Sequence, residues 1–517
     1  MLETSLQPDT YKLREYQEDL LRKIFESWAH GNRRVLAQLP TGAGKTILFA
    51  AIAREVLKQG LGVLVLAHRE ELILQAGEKL EAVSGLPVGY IKAGMPVNAD
   101  YDIQVASVQS LIRRKRFPEA GLVIVDEAHH AVAKSYKDIL DQYPQAYILG
   151  VTATPCRTDG QGFKWLFDDL VTGPSPEWLI ANGYLSPYRL YGASSLINTK
   201  GIKKTAGDFN QGQLEDAAMK VVGDVVPAWR KHAESKRTIV FAVGVDHSKA
   251  IASEFLKEGI PAEHLDGTSP NDERKAALAR FRSGETLVLS NCGLFTEGFD
   301  CPGIEAVQIC RPTCSLILHL QMLGRALRPA EAKDFARIID HTENWKNHGF
   351  PDEDRPWSLE PISLKMGRFV LQCPECDHCF KPLSHEQSKP FRHQLDNTGK
   401  LKPLYRSSCP NCLDEFEWEM GKGQPMGMRS VDKEAGEIQE LVMEVNPDHA
   451  AIVDEILEIQ EQTSRKPGWV YYRLLEHERV KDFGLGDWRY VASKLGYKSG
   501  WAWHKWQEVQ ASSTTHH

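Results

Sequence analysis

The chain has 517 residues, 42% hydrophobic and 25% charged, with ten cysteines and a formal net charge of −7. That length and composition predict roughly three or four globular domains with sizeable cores. No run approaches the ~18 apolar residues of a membrane span, and the start, MLETSLQPDTYKLREYQ, carries acids where a secretion signal is apolar. A cytoplasmic protein is the expectation. The acidic balance excludes a surface coated in basic residues, so nucleic acid, if bound, must be met in a local groove.

From about residue 35 to 340, short β-rich runs alternate with amphipathic segments. RRVLAQL, GVLVLA, IQVASV, GLVIVDE and AYILGVTAT read as buried parallel strands, with ILFAAIAREVLKQG and EELILQAGEKLEAV as helices between them. A second series begins near Arg237 with RTIVFAV, PAEHLDG, TLVLSN, EAVQIC and ARIIDH. Two successive βαβ series predict two α/β domains side by side. Ahead of the second series, ASSLINTKGIKKTAGDFNQGQ is polar and glycine-containing, which predicts a flexible excursion.

After about Pro351 the pattern changes. Five cysteines are scattered singly, whereas the other five fall between Cys373 and Cys412. QCPECDHCFKP and SSCPNCLDEFEWE supply Cys373-x2-Cys376 and Cys409-x2-Cys412, the spacing of a closed tetrahedral Zn²⁺ site that holds together a small module. Cys379 forms a second candidate pair with Cys376, so the ligand choice in the first turn stays open. Further on, EAGEIQELVMEV and HAAIVDEILEIQEQ read as helices. The last stretch is rich in tryptophan: Trp469, Trp488, Trp501, Trp503 and Trp506. KPGWVYYRLLE and KSGWAWHKWQE share Lys-x-Gly-Trp, which predicts two similar helix starts in a small helical domain. Their tryptophans suit a packed core, and the alternative is a face that stacks on bases or holds a partner peptide.

The chemistry centres on VLAQLPTGAGKT, residues 35–46. A strand feeds a glycine turn and then a helix, the setting of a phosphate-binding loop. Thr41, Gly42, Ala43 and Gly44 offer backbone N–H groups to phosphate, Lys45 reaches the β and γ phosphates, and the Thr46 hydroxyl is a ligand for Mg²⁺. Position 39, where such loops usually carry glycine, is leucine. Downstream, LVIVDEAHH delivers Asp126 and Glu127 to the end of a strand, where Asp126 holds Mg²⁺ through water and Glu127 orients and deprotonates the attacking water.

The Gly-x-Gly-Lys-Thr loop with Asp-Glu-Ala-His resembles the superfamily 2 helicases and translocases, whose loop tolerates a non-glycine at position 39. LREYQEDLL resembles their adenine-reading element, with Arg14 and Gln17 at the matched positions. VLAHREELILQ resembles the motif that holds a strand's phosphates, and VTATP the motif that links the Asp-Glu-Ala-His site to nucleic acid. FTEGFDCP resembles motif V, with Gly298 and Asp300 as candidate nucleotide contacts. HLQMLGRALRP resembles motif VI and carries Gln321, Arg325 and Arg328, which on a continuous helix share one face. Arginines supplied across a cleft stabilise charge on the transferred phosphoryl group, an effect worth ~10³ or more in rate.

The resemblance covers about residues 10–345 and implies two tandem RecA-like parallel-sheet domains, at 1–187 and 188–355. A four-cysteine zinc-ribbon module at 356–429 and a helical, aromatic-rich domain at 430–511 complete the expected α/β architecture. ATP, Mg²⁺ and Zn²⁺ are the expected ligands. The closest likeness is to bacterial RadD-like and phage-encoded DNA helicases. It implies an ATPase acting on single-stranded or branched DNA in repair, recombination or phage replication, in a bacterial or phage-infected cell and associated with the nucleoid. It also implies contact with single-stranded-DNA-binding protein or another replication or repair protein through the C-terminal module. The absence of a metal-nuclease carboxylate cluster argues against a restriction subunit. An RNA helicase, and an adaptor that ATP switches without strand separation, stay open as alternatives.

Overall fold

A computed structural model of the chain describes residues 12–95, 98, 100–114, 117–131, 133–157, 161–193, 196–205, 207–296, 298, 301, 303–331, 333–361, 370–383, 390–395, 401–420, 425–430, 447–463, 468–483, 485–495, 505 and 509. The chain forms two units, Met1–Val431 and Asp432–His517.

The first lobe of the larger unit is a seven-stranded sheet. Its strands are β1 (Arg34–Gln38), β2 (Val63–Ala67), β3 (Val88–Ile91), β4 (Ile103–Ser107), β5 (Leu122–Asp126), β6 (Tyr147–Thr152) and β7 (Asp169–Thr172), in the order β3-β4-β2-β5-β6-β1-β7. Every pairing is parallel. Because both faces are covered, the central strands are apolar apart from Asp126 at the end of β5, and all five residues of β2 and of β5 are buried. Successive side chains serve opposite faces, Val63, Val65 and Ala67 packing in one core cluster and Leu64 and Leu66 in another.

The second lobe begins with β8 (Tyr188–Gly192) and a small hairpin, β9 (Lys204–Thr205) and β10 (Asp208–Phe209). It continues with β11 (Thr238–Ala242), β12 (Ala262–Asp266), β13 (Val288–Cys292), β14 (Ala306–Cys310) and β15 (Ala336–Asp340). Its six-stranded sheet has the order β12-β13-β11-β14-β15-β8, parallel at every pairing. Described residues of the expected excursion make contacts with the lobe. The Asp208 carboxylate accepts hydrogen bonds from Thr313 Oγ1 at 2.6 Å and from the Cys314 amide at 2.7 Å, and Ile197 is buried in the lobe's core.

One apolar cluster runs through both lobes, joining Leu39 and Ala43 through Leu185 to Leu323, Ala326 and Leu327. A strap at residues 351–361 crosses the same boundary. It leaves the second lobe, where the Tyr188 hydroxyl donates to Asp352 Oδ1 at 2.7 Å, and it seats Leu359 in the core of the first. There the Phe163 and Lys164 amides donate to the Leu359 carbonyl at 2.7 and 3.1 Å. Gly162 makes that seat possible, since a Cβ at this position would stand 2.0 Å from the same oxygen.

The cysteine-bearing segment is built from antiparallel strands: the Leu371–Gln372 and Cys379–Phe380 pair, and a four-stranded sheet from Arg392–Leu395 to Pro425–Ser430. It docks on β8. Asp377 Oδ2 lies 2.8 Å from Lys231 Nζ and 3.1 Å from His232 Nε2, and the Gly192 amide donates to the Asp377 carbonyl at 3.0 Å.

The smaller unit contains helices Pro447–Gln462, Gly468–Leu475 and Leu485–Lys494 around a core of Val453, Val470, Leu474, Phe483, Trp488 and Val491. Trp488 is fully buried and Trp469 packs against this core, so both serve packing. The expected helix EAGEIQELVMEV, and Trp501, Trp503 and Trp506, lie outside the described residues. Among the described residues no helix is long and apolar enough to cross a membrane.

Candidate active site

The phosphate loop joins β1 to the Lys45–Leu57 helix. Gly42 and Gly44 take φ values of +87° and +86°, a left-handed conformation that turns successive N–H groups toward one point. Leu39 is fully buried and packs in the first lobe's core, which explains the tolerance of a large side chain there. The loop is braced from below by the Glu15–Ala29 helix. The Tyr16 hydroxyl donates to the Ala43 carbonyl at 2.8 Å, and Gln17 Nε2 donates to the same oxygen at 3.1 Å. The Gln17 amide is fixed in sense because its Oε1 accepts the Arg14 N–H at 3.0 Å. Nε2 also donates to the Gly44 carbonyl at 3.4 Å, so both N–H groups face the loop and one Oε1 lone pair remains for a base edge. Arg14 lies 5.0 Å above the Tyr184 ring and donates to the Tyr16 hydroxyl at 3.0 Å. Burial, against the pull of Arg14, raises the Tyr16 pKa, so the phenol stays a donor. Tyr16 is invisible to motif matching, although it sits between the two matched positions.

At the end of β5, Asp126 Oδ1 accepts the Glu127 N–H at 2.9 Å. Glu127 has φ +49°, a left-handed conformation that costs a non-glycine residue ~1–3 kcal/mol and is retained mainly at working sites. Its Oε1 lies 3.9 Å from Lys45 Nζ and its Oε2 lies 3.4 Å from His129 Nδ1. His129 Nδ1 also lies 3.1 Å from Thr152 Oγ1, and that hydroxyl accepts the Thr154 N–H at 3.2 Å. Gln38 adds a bond from Nε2 to the Ala153 carbonyl at 3.1 Å. The carboxylate that faces Lys45 is therefore wired to the Thr-Ala-Thr segment. Thr46, in the first turn of the loop's helix, and Asp126 bring a hydroxyl and a carboxylate to the C-terminal edge of one sheet, hard oxygen donors that suit Mg²⁺.

The second lobe meets the loop directly. A Cβ built at Gly324 would stand 2.6 Å from Thr41 Cβ, and one built at Gly42 would stand 3.5 Å from Arg328 Cγ. The arginines do not ride one continuous helix, however. The Leu316–Gly324 helix carries Gln321, which is buried, and it ends before Arg325, whose amide bonds back only three residues to Met322. Pro329 disfavours helix at Arg328, and the freed carbonyls find other donors: Leu327 O accepts the Ser186 amide at 2.7 Å. Arg325 is buried and donates to the Thr296 carbonyl at 2.7 Å, whereas the Arg328 side chain lies over the loop. Gly298 accepts from Gln75 Nε2 of the first lobe, and the neighbouring Gly293 carbonyl accepts from Arg69 at 3.0 Å. Asp300 lies outside the described residues.

The sulfurs of Cys373, Cys376, Cys409 and Cys412 all lie within 4.8 Å of one another, with Cys373–Cys412 at 3.6 Å and Cys376–Cys409 at 3.7 Å. A tetrahedron with Zn–S of ~2.3 Å has S–S edges of ~3.8 Å. The two turns are built alike. Cys373 and Cys409 each accept the amide of the residue four positions on, Asp377 and Leu413, and both of those residues are left-handed, at φ +58° and +66°. Cys379 stands outside the set, its thiol directed at the Asp377 carbonyl and its pKa raised well above normal by burial.

The family model for the res subunit of type III restriction enzymes matches residues 10–157, and that for the helicase conserved C-terminal domain matches residues 217–330. A 51.5 kDa protein of a Lactococcus phage is 36% identical over 376 residues, covering 71% of this chain and 80% of the phage protein. The putative ATP-dependent helicase IRC3 of Saccharomyces cerevisiae is 33% identical over 351 residues, covering 63% of this chain, and this chain spans about half (51%) of the yeast protein. Among solved structures, a fragment of a putative HsdR subunit of a type I restriction enzyme from Vibrio vulnificus shares the fold, with TM-score 0.53, 23% identity and 66% of each chain covered.

Proposed function

This chain belongs to the superfamily 2 helicases, ATP-hydrolysing enzymes that work on nucleic acid, and on that premise we propose that it is a DNA helicase or translocase acting on single-stranded or branched DNA in repair, recombination or phage replication. The observation that carries this reading is the apposition of Gly324 and Arg328 with Thr41 and Gly42. It puts the arginine segment of one lobe on the phosphate loop of the other, where ATP is held by both. The match of residues 10–157 to a restriction-enzyme subunit supports DNA as the polymer.

In this account the left-handed loop and the helix N-terminus wrap the phosphates, and Lys45 neutralises the β and γ oxygens. Thr46 and Asp126 would hold Mg²⁺, which would supply charge neutralisation on the phosphates. Glu127, between Lys45 and His129, orients the attacking water and takes its proton. Arg328, with Arg325 anchored beside it on Thr296, stabilises the charge that builds on the transferred phosphoryl group. Loss of the γ-phosphate removes the bridge between lobes. The His129–Thr152 link and the Arg69 and Gln75 contacts pass that change to the strand-holding motifs. The four cysteines would hold one structural Zn²⁺.

The test is ATP hydrolysis with single-stranded, branched and duplex DNA and with RNA of equal length, read together with strand displacement. DNA should stimulate hydrolysis, and Lys45→Ala and Glu127→Gln should abolish it. Stimulation by RNA alone, or wild-type turnover in either variant, overturns the assignment.

A further inference from the structure

The segment that carries Arg325 and Arg328 has left its helix, so its carbonyls need donors from elsewhere. Lys333 supplies them. Its Nζ donates to the Arg328 carbonyl at 2.9 Å, to the Ile304 carbonyl at 2.9 Å and to the Ala326 carbonyl. An ammonium has three N–H donors and no acceptor, so these three oxygens match its whole capacity. They come from two places: Ala326 and Arg328 belong to the arginine segment, while Ile304 is a fully buried residue on the approach to β14. Leu327, between the first two, is held by the Ser186 amide. Three successive carbonyls are therefore fixed, two of them by one side chain.

We propose that Lys333 is a positioning residue for ATP hydrolysis, fixing the backbone at Arg328 so that its side chain lies over the phosphate loop of the opposite lobe. Arg328 reaches that loop from an irregular turn, and nothing in a helix geometry dictates its direction. Lys333 takes the place of the missing helical bonds and ties the turn to the segment that follows motif V. With its three N–H groups on backbone carbonyls, the lysine has no donor left for a nucleotide. Its effect runs through the placement of the guanidinium, where a displacement of ~1 Å can cost ~10²-fold in rate. Burial pushes the ammonium down to about 7 against the pull of Glu305, as expected of a cation taken out of water to serve backbone oxygens.

The inference rests on Arg328 acting as the charge-stabilising arginine, and the experiment separates the two claims. Steady-state ATP hydrolysis by the full chain is measured at saturating single-stranded DNA for wild type, Lys333→Met, Lys333→Gln, Arg328→Ala and the Lys333→Met/Arg328→Ala double variant. Lys333→Met should lower kcat by ~10–100-fold with KM for ATP within about twofold, and Lys333→Gln should lower it less. The double variant should be no slower than Arg328→Ala alone, because both changes act on one guanidinium. If Lys333→Met is insoluble, the same comparison is made with Lys333→Gln. Wild-type kcat in the lysine variants, or losses that multiply in the double variant, overturn the positioning role while leaving the arginine reading intact. Wild-type kcat in Arg328→Ala removes the arginine reading and the inference with it.

Discussion

Gly324→Ala separates lobe closure from nucleotide binding by a single methyl group. The added carbon would stand 2.6 Å from both Cβ and Cγ2 of Thr41, whereas carbon atoms in good contact lie ~3.5–4.0 Å apart. The lobes must therefore part by ~1 Å at this point, enough to cost ~10²-fold in kcat, or ~2.7 kcal/mol of barrier. Helix propensity works the other way. Alanine is favoured over glycine by up to ~1 kcal/mol in a helix, so the variant should melt no lower than wild type. Contacts to ATP from the first lobe stay in place, and ATP affinity should change by less than about threefold, a shift of under ~0.7 kcal/mol. The assay pairs DNA-stimulated ATP hydrolysis with equilibrium binding of a fluorescent ATP analogue and a thermal melt. Unchanged kcat refutes the closed apposition of Gly324 and Thr41. A fall in kcat matched by an equal fall in affinity or in melting temperature refutes the reasoning from geometry.

Three further outcomes are expected. Gln17→Ala removes one bond to the Ala43 carbonyl and the base-edge partner, so KM for ATP should rise about tenfold and preference over GTP should weaken, read from hydrolysis of both nucleotides. Freshly purified protein should contain about one zinc per chain; Cys412→Ser should lose most of it, and because Asp377 in the first turn docks on Lys231 and His232, the second lobe should melt lower on metal removal. Leu359→Ala should destabilise the chain by about 2–5 kcal/mol in denaturant titration, since the side chain sits in the first lobe's core.

The buried strands were legible because short apolar runs bounded by turn residues suit strands covered on both faces: β2, β5 and β11 are buried along their whole length. In the two parallel sheets three strands escaped the sequence reading, VGYI, DLVT and YRLYG, and all three lie at sheet edges. An edge strand is covered on fewer sides and admits Tyr188, Arg189 or Asp169, which breaks the apolar pattern. The strand–turn–helix setting of residues 35–46 and the place of Asp126 and Glu127 at the end of β5 were readable because both patterns are local in sequence. The arginine segment was misread as one helix because residue spacing alone ignores the capture of carbonyls by Lys333 and Ser186. Tyr16 beneath Ala43, and the strap that seats Leu359 against Gly162, depend on contacts between distant segments, which no local pattern encodes. Among the cysteines, spacing alone did not separate Cys379, whose buried thiol is turned to the Asp377 carbonyl, from the four whose sulfurs cluster.

The central claim, a triphosphate clasped between the phosphate loop and the arginine segment, is met most directly by single-turnover hydrolysis of bound ATP in Arg328→Ala with single-stranded DNA present. A rate lower by ~10³ with ATP still bound is the predicted result. A rate within about twofold of wild type, under the same occupancy, would contradict the account.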